Sequence, residues 1–203
     1  MTAKVIAFIN YKGGVAKTTT TYHVGCSLAQ HFGKKVLLVD IDPQTNLTFL
    51  CSSIEDWEQF KKKTGTIATM YRRFLEKKSL DTKRFIWRQP VGAGLKRRIP
   101  NLDLIPCDID LIGEDLGGAA VAGSFPALEL LRSQSREYLR EHSFLQKALN
   151  EVDDNYDYIL IERWPRNFEQ GVKWKLGLTG GMFCLRIRSE DEEASPPESH
   201  TGL

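Results

Sequence analysis

The chain has 203 residues, 41% of them apolar and 27% charged, with a formal net charge of +2. That balance reads as one soluble globular domain large enough to bury a core, and no apolar run approaches the ~20 residues of a membrane-spanning helix. The four cysteines (Cys26, Cys51, Cys107, Cys184) are far apart with no Cys-x-x-Cys pair, which argues against an iron–sulfur cluster, a zinc site or a disulfide framework.

Lys4–Ile9 (KVIAFI) is a short run of β-branched and aromatic residues and reads as a buried strand rather than the apolar core of a signal peptide, so a cytoplasmic location is expected. Asn10–Lys17 is a glycine-containing turn. A helix is expected from Thr18 to about Phe32, with Val24, Leu28 and Phe32 on one stripe and Gly33 closing it. Val36–Val39 (VLLV) is a second buried strand ending at Asp40. Strand, loop, helix and strand at this spacing make a βαβ unit, hence an α/β fold with a parallel sheet flanked by helices and ligands at the strand C-terminal ends. Short helices follow near 55–62 and 66–77, then a loop-rich basic stretch with Gly92, Gly94 and Pro100. Leu102–Ile105 is a third strand. Pro126 opens a long helix whose Leu128, Leu131, Leu139, Leu145 and Leu149 form an apolar stripe. Tyr158–Ile161 is a fourth strand and Met182–Ile187 a weaker fifth. The domain is expected over 1–188, with 61–100 as a basic, irregular insert and 189–203 as a disordered acidic tail.

Charge is unevenly spread. Residues 189–203 hold five acids and no Lys or Arg, which leaves 28 bases against 21 acids, or +7, on residues 1–188. Residues 61–98 hold thirteen Lys or Arg against two acids. Such a block attracts phosphate backbones, although a charge run is more often a solvated face.

The chemistry concentrates in Lys12-Gly13-Gly14-Val15-Ala16-Lys17-Thr18. Binding a polyphosphate requires backbone N–H groups turned inward around the anion, which small residues permit. A helix that starts at Thr18 points its positive end at the phosphates. Lys17 is then placed for the β- and γ-oxygens and the Thr18 hydroxyl for Mg²⁺. Thr19 lies within reach of the α-phosphate. The segment departs from G-x-x-x-x-G-K-[ST], since Ala16 stands where a glycine would precede the lysine, and it fits the deviant form K-G-G-x-x-K-[ST]. Its position after a strand and at the start of a helix supports a phosphate loop over a plain glycine turn.

FINYKGGVAKTTTT followed by KKVLLVDIDPQTNLT resembles the ParA family of partitioning ATPases in order and spacing, and NLDLIPCDIDL and DDNYDYILIE resemble later family segments. The resemblance runs in patches from about residue 3 to 162. It implies ATP and Mg²⁺ as cofactors, with Lys12, Gly13, Gly14, Val15, Ala16, Lys17, Thr18 and Thr19 around the nucleotide. It also implies an ATP-dependent homodimer in which Lys12 reaches the partner's phosphates as a cation supplied in trans. Nonspecific DNA and a ParB-like activator protein are the partners it implies, with no membrane and a nucleoid-associated location. Asp40 and Asp42 follow the second strand, at the rim where phosphates sit. By resemblance Asp42 orients the attacking water, and Asp40 lies in the metal's shell through water. The bland alternative for this pair is a capped turn, since Asp before Pro often starts one.

After the fourth strand the family has an aspartate and two prolines, whereas this chain reads Glu162-Arg163-Trp164-Pro165. Family members also continue well beyond this length. The expectation is a truncated or frame-altered member, or a shortened variant, with an exposed sheet edge and impaired hydrolysis. A nucleotide-binding adaptor or regulator with little or no hydrolysis is the competing function. A MinD-like membrane helix, a nitrogenase-type cluster and the tyrosine tail of a capsule-type kinase have no counterpart here. The histidines are scattered and carry no catalytic assignment.

Overall fold

The computed structural model describes residues 3–9, 14–90, 98–110 and 143–163, together with a strand at 183–187. Lys12 and Gly13, the glycines of the basic loop, the helix expected at Pro126 and the acidic tail lie outside the described residues.

The elements in chain order are β1 (Lys4–Ile9), α1 (Lys17–Phe32), β2 (Val36–Ile41), α2 (Asn46–Cys51), α3 (Ile54–Lys63), α4 (Ile67–Leu75), β3 (Trp87–Arg88), β4 (Leu102–Ile105), β5 (Tyr158–Arg163) and β6 (Phe183–Ile187). Short 3₁₀ turns precede β3 and β5, and residues 143–150 are helical. The strands form one six-stranded sheet in the order β3-β4-β2-β5-β1-β6. Its four central strands are parallel, and β3 and β6 close the two sides antiparallel. The strand expected near 182–187 is β6, paired antiparallel with β1.

The central strands are apolar on both sides because helices cover both faces. Ala7, Ile9, Leu37, Val39, Ile105, Ile159 and Ile161 pack with α4 and with Phe144, Ala148 and Leu149. The alternate residues Phe8, Val36, Leu38, Leu102, Leu104 and Leu160 pack under α1 and α2. The period of two thus divides one apolar run into two cores.

Helix α1 lies closer to the sheet than its leucine stripe suggests. Its buried residues are Thr21, Gly25 and Ala29, whereas Phe32 is 67% exposed and Val24 and Leu28 are partly buried. The reason is clearance: a Cβ on Gly25 would stand 2.7 Å from Leu38 Cδ2 and 3.4 Å from Leu102 Cδ1. Small residues therefore make the contact face, and the larger ones spread beside it. The helix ends at Gly33, whose φ of 62° suits glycine, with the Lys34 N–H donating to Leu28 O at 3.0 Å. The βαβ unit is thereby fixed with the start of α1 at the C-terminal end of β1.

Candidate functional site

Parallel register brings the site together. Asp40 on β2 pairs with Glu162 on β5, and Ile9, at the end of β1, pairs with Arg163. Asp40 follows Leu38, and Glu162 follows Leu160, by one full period. Both carboxylates therefore point to the α1 side, where Lys17 and Thr18 begin that helix.

The loop before α1 turns on Gly14, with φ 74°, and on Ala16, with φ 61° and ψ 25°. Ala16 occupies a left-handed position that costs a residue with a Cβ roughly 1 kcal/mol. The helix continues from it, with the Thr20 N–H donating to Ala16 O at 2.8 Å. The first free N–H groups of α1 thus face the rim of the sheet.

Lys17 Nζ donates to Asp42 Oδ2 at 3.1 Å and to the Arg163 carbonyl at 3.1 Å, and stands 3.6 Å from Glu162 Oε1. The Thr18 hydroxyl donates to the same Glu162 Oε1. Lys17 thus joins Asp42 and Glu162, and Thr18 reaches the same Glu162 oxygen. Val15 and Thr19 lie in the same loop and first helical turn. Asp42 Oδ1 accepts from the Gln44 N–H at 3.0 Å.

Asp40 plays a different structural part from the other acids. Its Oδ1 accepts from the Asp42 N–H at 3.0 Å, and its Oδ2 accepts from the Thr48 N–H at 2.9 Å and the Thr48 hydroxyl at 2.7 Å. Thr48 Oγ1 in turn accepts from the Cys107 N–H at 3.0 Å. Fully buried, Asp40 thus ties the β2 loop to α2 and to the end of β4. Thr48 carries this network without any motif to mark it, which is why no sequence pattern singles it out.

Burial dominates the electrostatics. It pushes the Asp40 carboxyl up to about 7, with the neighbouring Glu162 charge adding to the rise and the Thr48 and Asp42 hydrogen bonds opposing it. Burial likewise raises Glu162, against the pull of Thr18 and Lys17. Glu162 has no exposed surface, and its Oε2 has no hydrogen-bond partner among the described residues. Glu162 was legible only as a departure from a pattern; its position at the end of β5 is the signal that places it in the site.

Thr18, Glu162 and Asp42 offer oxygen donors, the kind a hard cation such as Mg²⁺ takes, and the unpartnered Oε2 is a donor in search of one. Among the described residues no cluster of three His, Cys, Asp or Glu would hold a metal by itself. Phosphate oxygens would have to complete such a shell. Cys26, Cys51 and Cys107 are free thiols, and no described helix is long and apolar enough to cross a membrane.

A mostly parallel sheet flanked by helices, with a glycine-containing loop between β1 and α1, is the architecture of P-loop NTPases. A family profile described as an AAA domain matches residues 3–167. The chain belongs to this family, and its relatives include proteins of the ParA type. It is 35% identical over 163 residues to the sporulation initiation inhibitor protein Soj of Bacillus subtilis, covering 80% of this chain and 50% of Soj. The chromosome partitioning protein ParA of Caulobacter vibrioides is 32% identical over 164 residues, covering 80% of this chain and 48% of that protein. Among solved structures, cobyrinic acid a,c-diamide synthase from Mycobacterium smegmatis, with bound ATP analog and magnesium, superposes with a TM-score of 0.54. It is 28% identical and covers 81% of this chain and 52% of that one. The chain spans about half the length of the curated relatives it matches.

Proposed function

We propose that the chain binds and hydrolyses ATP with Mg²⁺ and works in DNA partitioning. The observation that carries this reading is the convergence of Lys17, Thr18 and Asp42 at the C-terminal ends of β1 and β2, beside the first turn of α1. When bound, Mg²⁺ would supply charge neutralisation to the phosphates. Lys17 exchanges its carboxylate and carbonyl acceptors for phosphate oxygens. Thr18 turns its hydroxyl oxygen toward the cation, and the N–H groups of residues 13–19 line the polyphosphate. Asp42 aligns the attacking water, Asp40 holds the Asp42 loop and lies behind the metal's shell, and Lys12 reaches the phosphates of a second copy. The bound ATP analog and magnesium of the synthase, on a related fold, support the choice of ligand.

The names of the relatives support partitioning as the process. On this reading ATP binding forms a homodimer, the dimer holds DNA nonspecifically in the cytoplasm on the nucleoid, and a ParB-like protein stimulates hydrolysis. Lys62, Lys63, Arg72, Arg73, Lys83 and Arg84 at the ends of α3, α4 and the following 3₁₀ turn are candidates for phosphate contacts. Sedimentation with ADP and with ATP, followed by DNA retention across a salt series, tests the reading. ATP-dependent dimers and steeply salt-dependent retention are expected; a constant monomer, or DNA affinity indifferent to salt, contradicts it.

A second reading is a nucleotide-binding adaptor with little or no hydrolysis. One observation favours it: both Asp42 oxygens already accept hydrogen bonds within the protein, from Lys17 and from the Gln44 N–H. Turnover by the purified chain separates the two readings.

A further inference from the structure

The Thr48 hydroxyl joins two strand ends at the point where the sheet stops joining them. Strands β2 and β4 pair in parallel as far as Val39 and Ile105. The next residue after β4 is Pro106, which has no N–H to give to the ladder. Beyond it the Cys107 N–H donates to Thr48 Oγ1 at 3.0 Å, and the same hydroxyl donates to Asp40 Oδ2 at 2.7 Å. An N–H can only donate, so the hydroxyl proton is committed to Asp40. Thr48 and Asp40 are both wholly buried, and water does not compete for these bonds.

We propose that Thr48 is a positioning residue for hydrolysis: by fixing the Asp40 carboxylate it holds Asp42 where it aligns the attacking water. This rests on the ATP reading above, in which Asp42 has that task. The torsion that turns an aspartate carboxylate about its Cβ–Cγ bond is broad and soft. Here Oδ2 is held by two donors from Thr48, the hydroxyl at 2.7 Å and the N–H at 2.9 Å. That grip sets the other oxygen, Oδ1, against the Asp42 N–H at 3.0 Å. The Asp42 carbonyl in turn accepts from the Thr45 N–H at 2.7 Å. The Asp42 backbone is therefore held on both sides, and its side chain leaves from a fixed point. Without the hydroxyl a single Thr48 donor remains on Oδ2, the carboxylate is free to turn, and the Asp42 N–H loses its aligned acceptor. A misplacement of about 1 Å at a group that orients a reactant lowers the rate steeply. Because Asp42 acts on the water and not on the bound phosphates, the loss falls on turnover and spares binding.

ATP turnover by the full chain at saturating Mg²⁺, with ATP affinity measured separately by calorimetry, tests this on the wild type, Thr48→Val and Thr48→Ser. Thr48→Val keeps the shape of the side chain and removes its hydroxyl. It is expected to lower kcat about tenfold and to change ATP affinity by less than about twofold. Thr48→Ser keeps the hydroxyl and is expected to recover most of the lost turnover. An unchanged kcat in Thr48→Val, a loss of affinity as large as the loss of kcat, or no recovery in Thr48→Ser overturns the proposal and leaves ATP hydrolysis in place. If circular dichroism shows Thr48→Val unfolded, Thr48→Cys, of similar size with a weaker donor, is compared with Thr48→Ser by the same criteria. A folded wild type that binds ATP without turning it over, or binds none, removes the hydrolysis reading itself, and this role with it.

Discussion

Replacing Lys17 tests the electrostatic structure of the site without any ligand. Lys17→Ala removes the cation that stands 3.1 Å from Asp42 and 3.6 Å from Glu162, both buried. Breaking a buried pair by deleting one partner costs about 3–5 kcal/mol when the remaining charge has no other compensation. Thr18 still donates to Glu162 and the Gln44 N–H to Asp42, so a loss of about 2–4 kcal/mol at pH 8 is the working figure. The pH dependence has a definite sign. Glu162 is already raised in the folded chain, and losing Lys17 raises it further. A raised folded-state carboxyl is neutral in both states below the unfolded value of about 4 and destabilises increasingly as pH rises above it. The gap between wild type and variant should therefore shrink below ~1 kcal/mol near pH 5 and widen toward pH 8. Urea unfolding of both chains without nucleotide, at pH 5 and pH 8, reads this directly. Equal stabilities at pH 8, or a gap that does not grow with pH, would show that Lys17 does not neutralise these carboxylates.

Other sites make separate predictions. Gly25→Val places side-chain atoms where even a Cβ meets Leu38 at 2.7 Å; overpacking of about 1–3 kcal/mol or more should appear as a lower melting temperature, and an unchanged one would refute the close approach of α1. Asp40, raised to about 7 by burial and Glu162, should cost stability as pH climbs from about 4 to about 7, by as much as ~4 kcal/mol. Asp40→Asn should flatten that slope, and parallel pH profiles for the two chains would contradict the assignment. Thr66→Val removes the hydroxyl that donates to Asp108, a carboxylate that is 1% exposed, faces Lys61 at 3.5 Å and accepts from the Asp110 N–H at 2.7 Å. A loss of about 1–3 kcal/mol is expected in denaturant titration, and no loss would mean that Lys61 and the Asp110 N–H suffice without the hydroxyl.

Much of this was legible because it depends on local rules. Strand-length apolar runs mark β1, β2, β4 and β5, and a glycine ends α1 where the chain needs a left-handed residue. The phosphate loop is recognisable because anion binding constrains residue type at fixed spacing. What escaped depends on distant partners. The contact face of α1 is set by clearance from Leu38 and Leu102, which no periodicity along the helix reveals. The six-residue α2 is placed by Thr48 bonding to Asp40, eight residues earlier. The two-residue β3 is held by Arg88, whose Nη1 donates to Asp103 at 2.6 Å and to the Tyr156 hydroxyl at 2.9 Å. Glu162 looks like a defect when read as an altered motif. In register beside Asp40, and bonded to Thr18, it becomes part of the site.

The central claim is that this site binds Mg²⁺-ATP and turns it over. The measurement is ATP binding and hydrolysis by the purified chain, with Lys17→Ala and Asp42→Ala beside it. Binding with slow turnover, both abolished in Lys17→Ala and only turnover abolished in Asp42→Ala, is the expected result. A folded chain that binds no ATP, or an Asp42→Ala variant that loses binding yet keeps hydrolysis, would contradict the account.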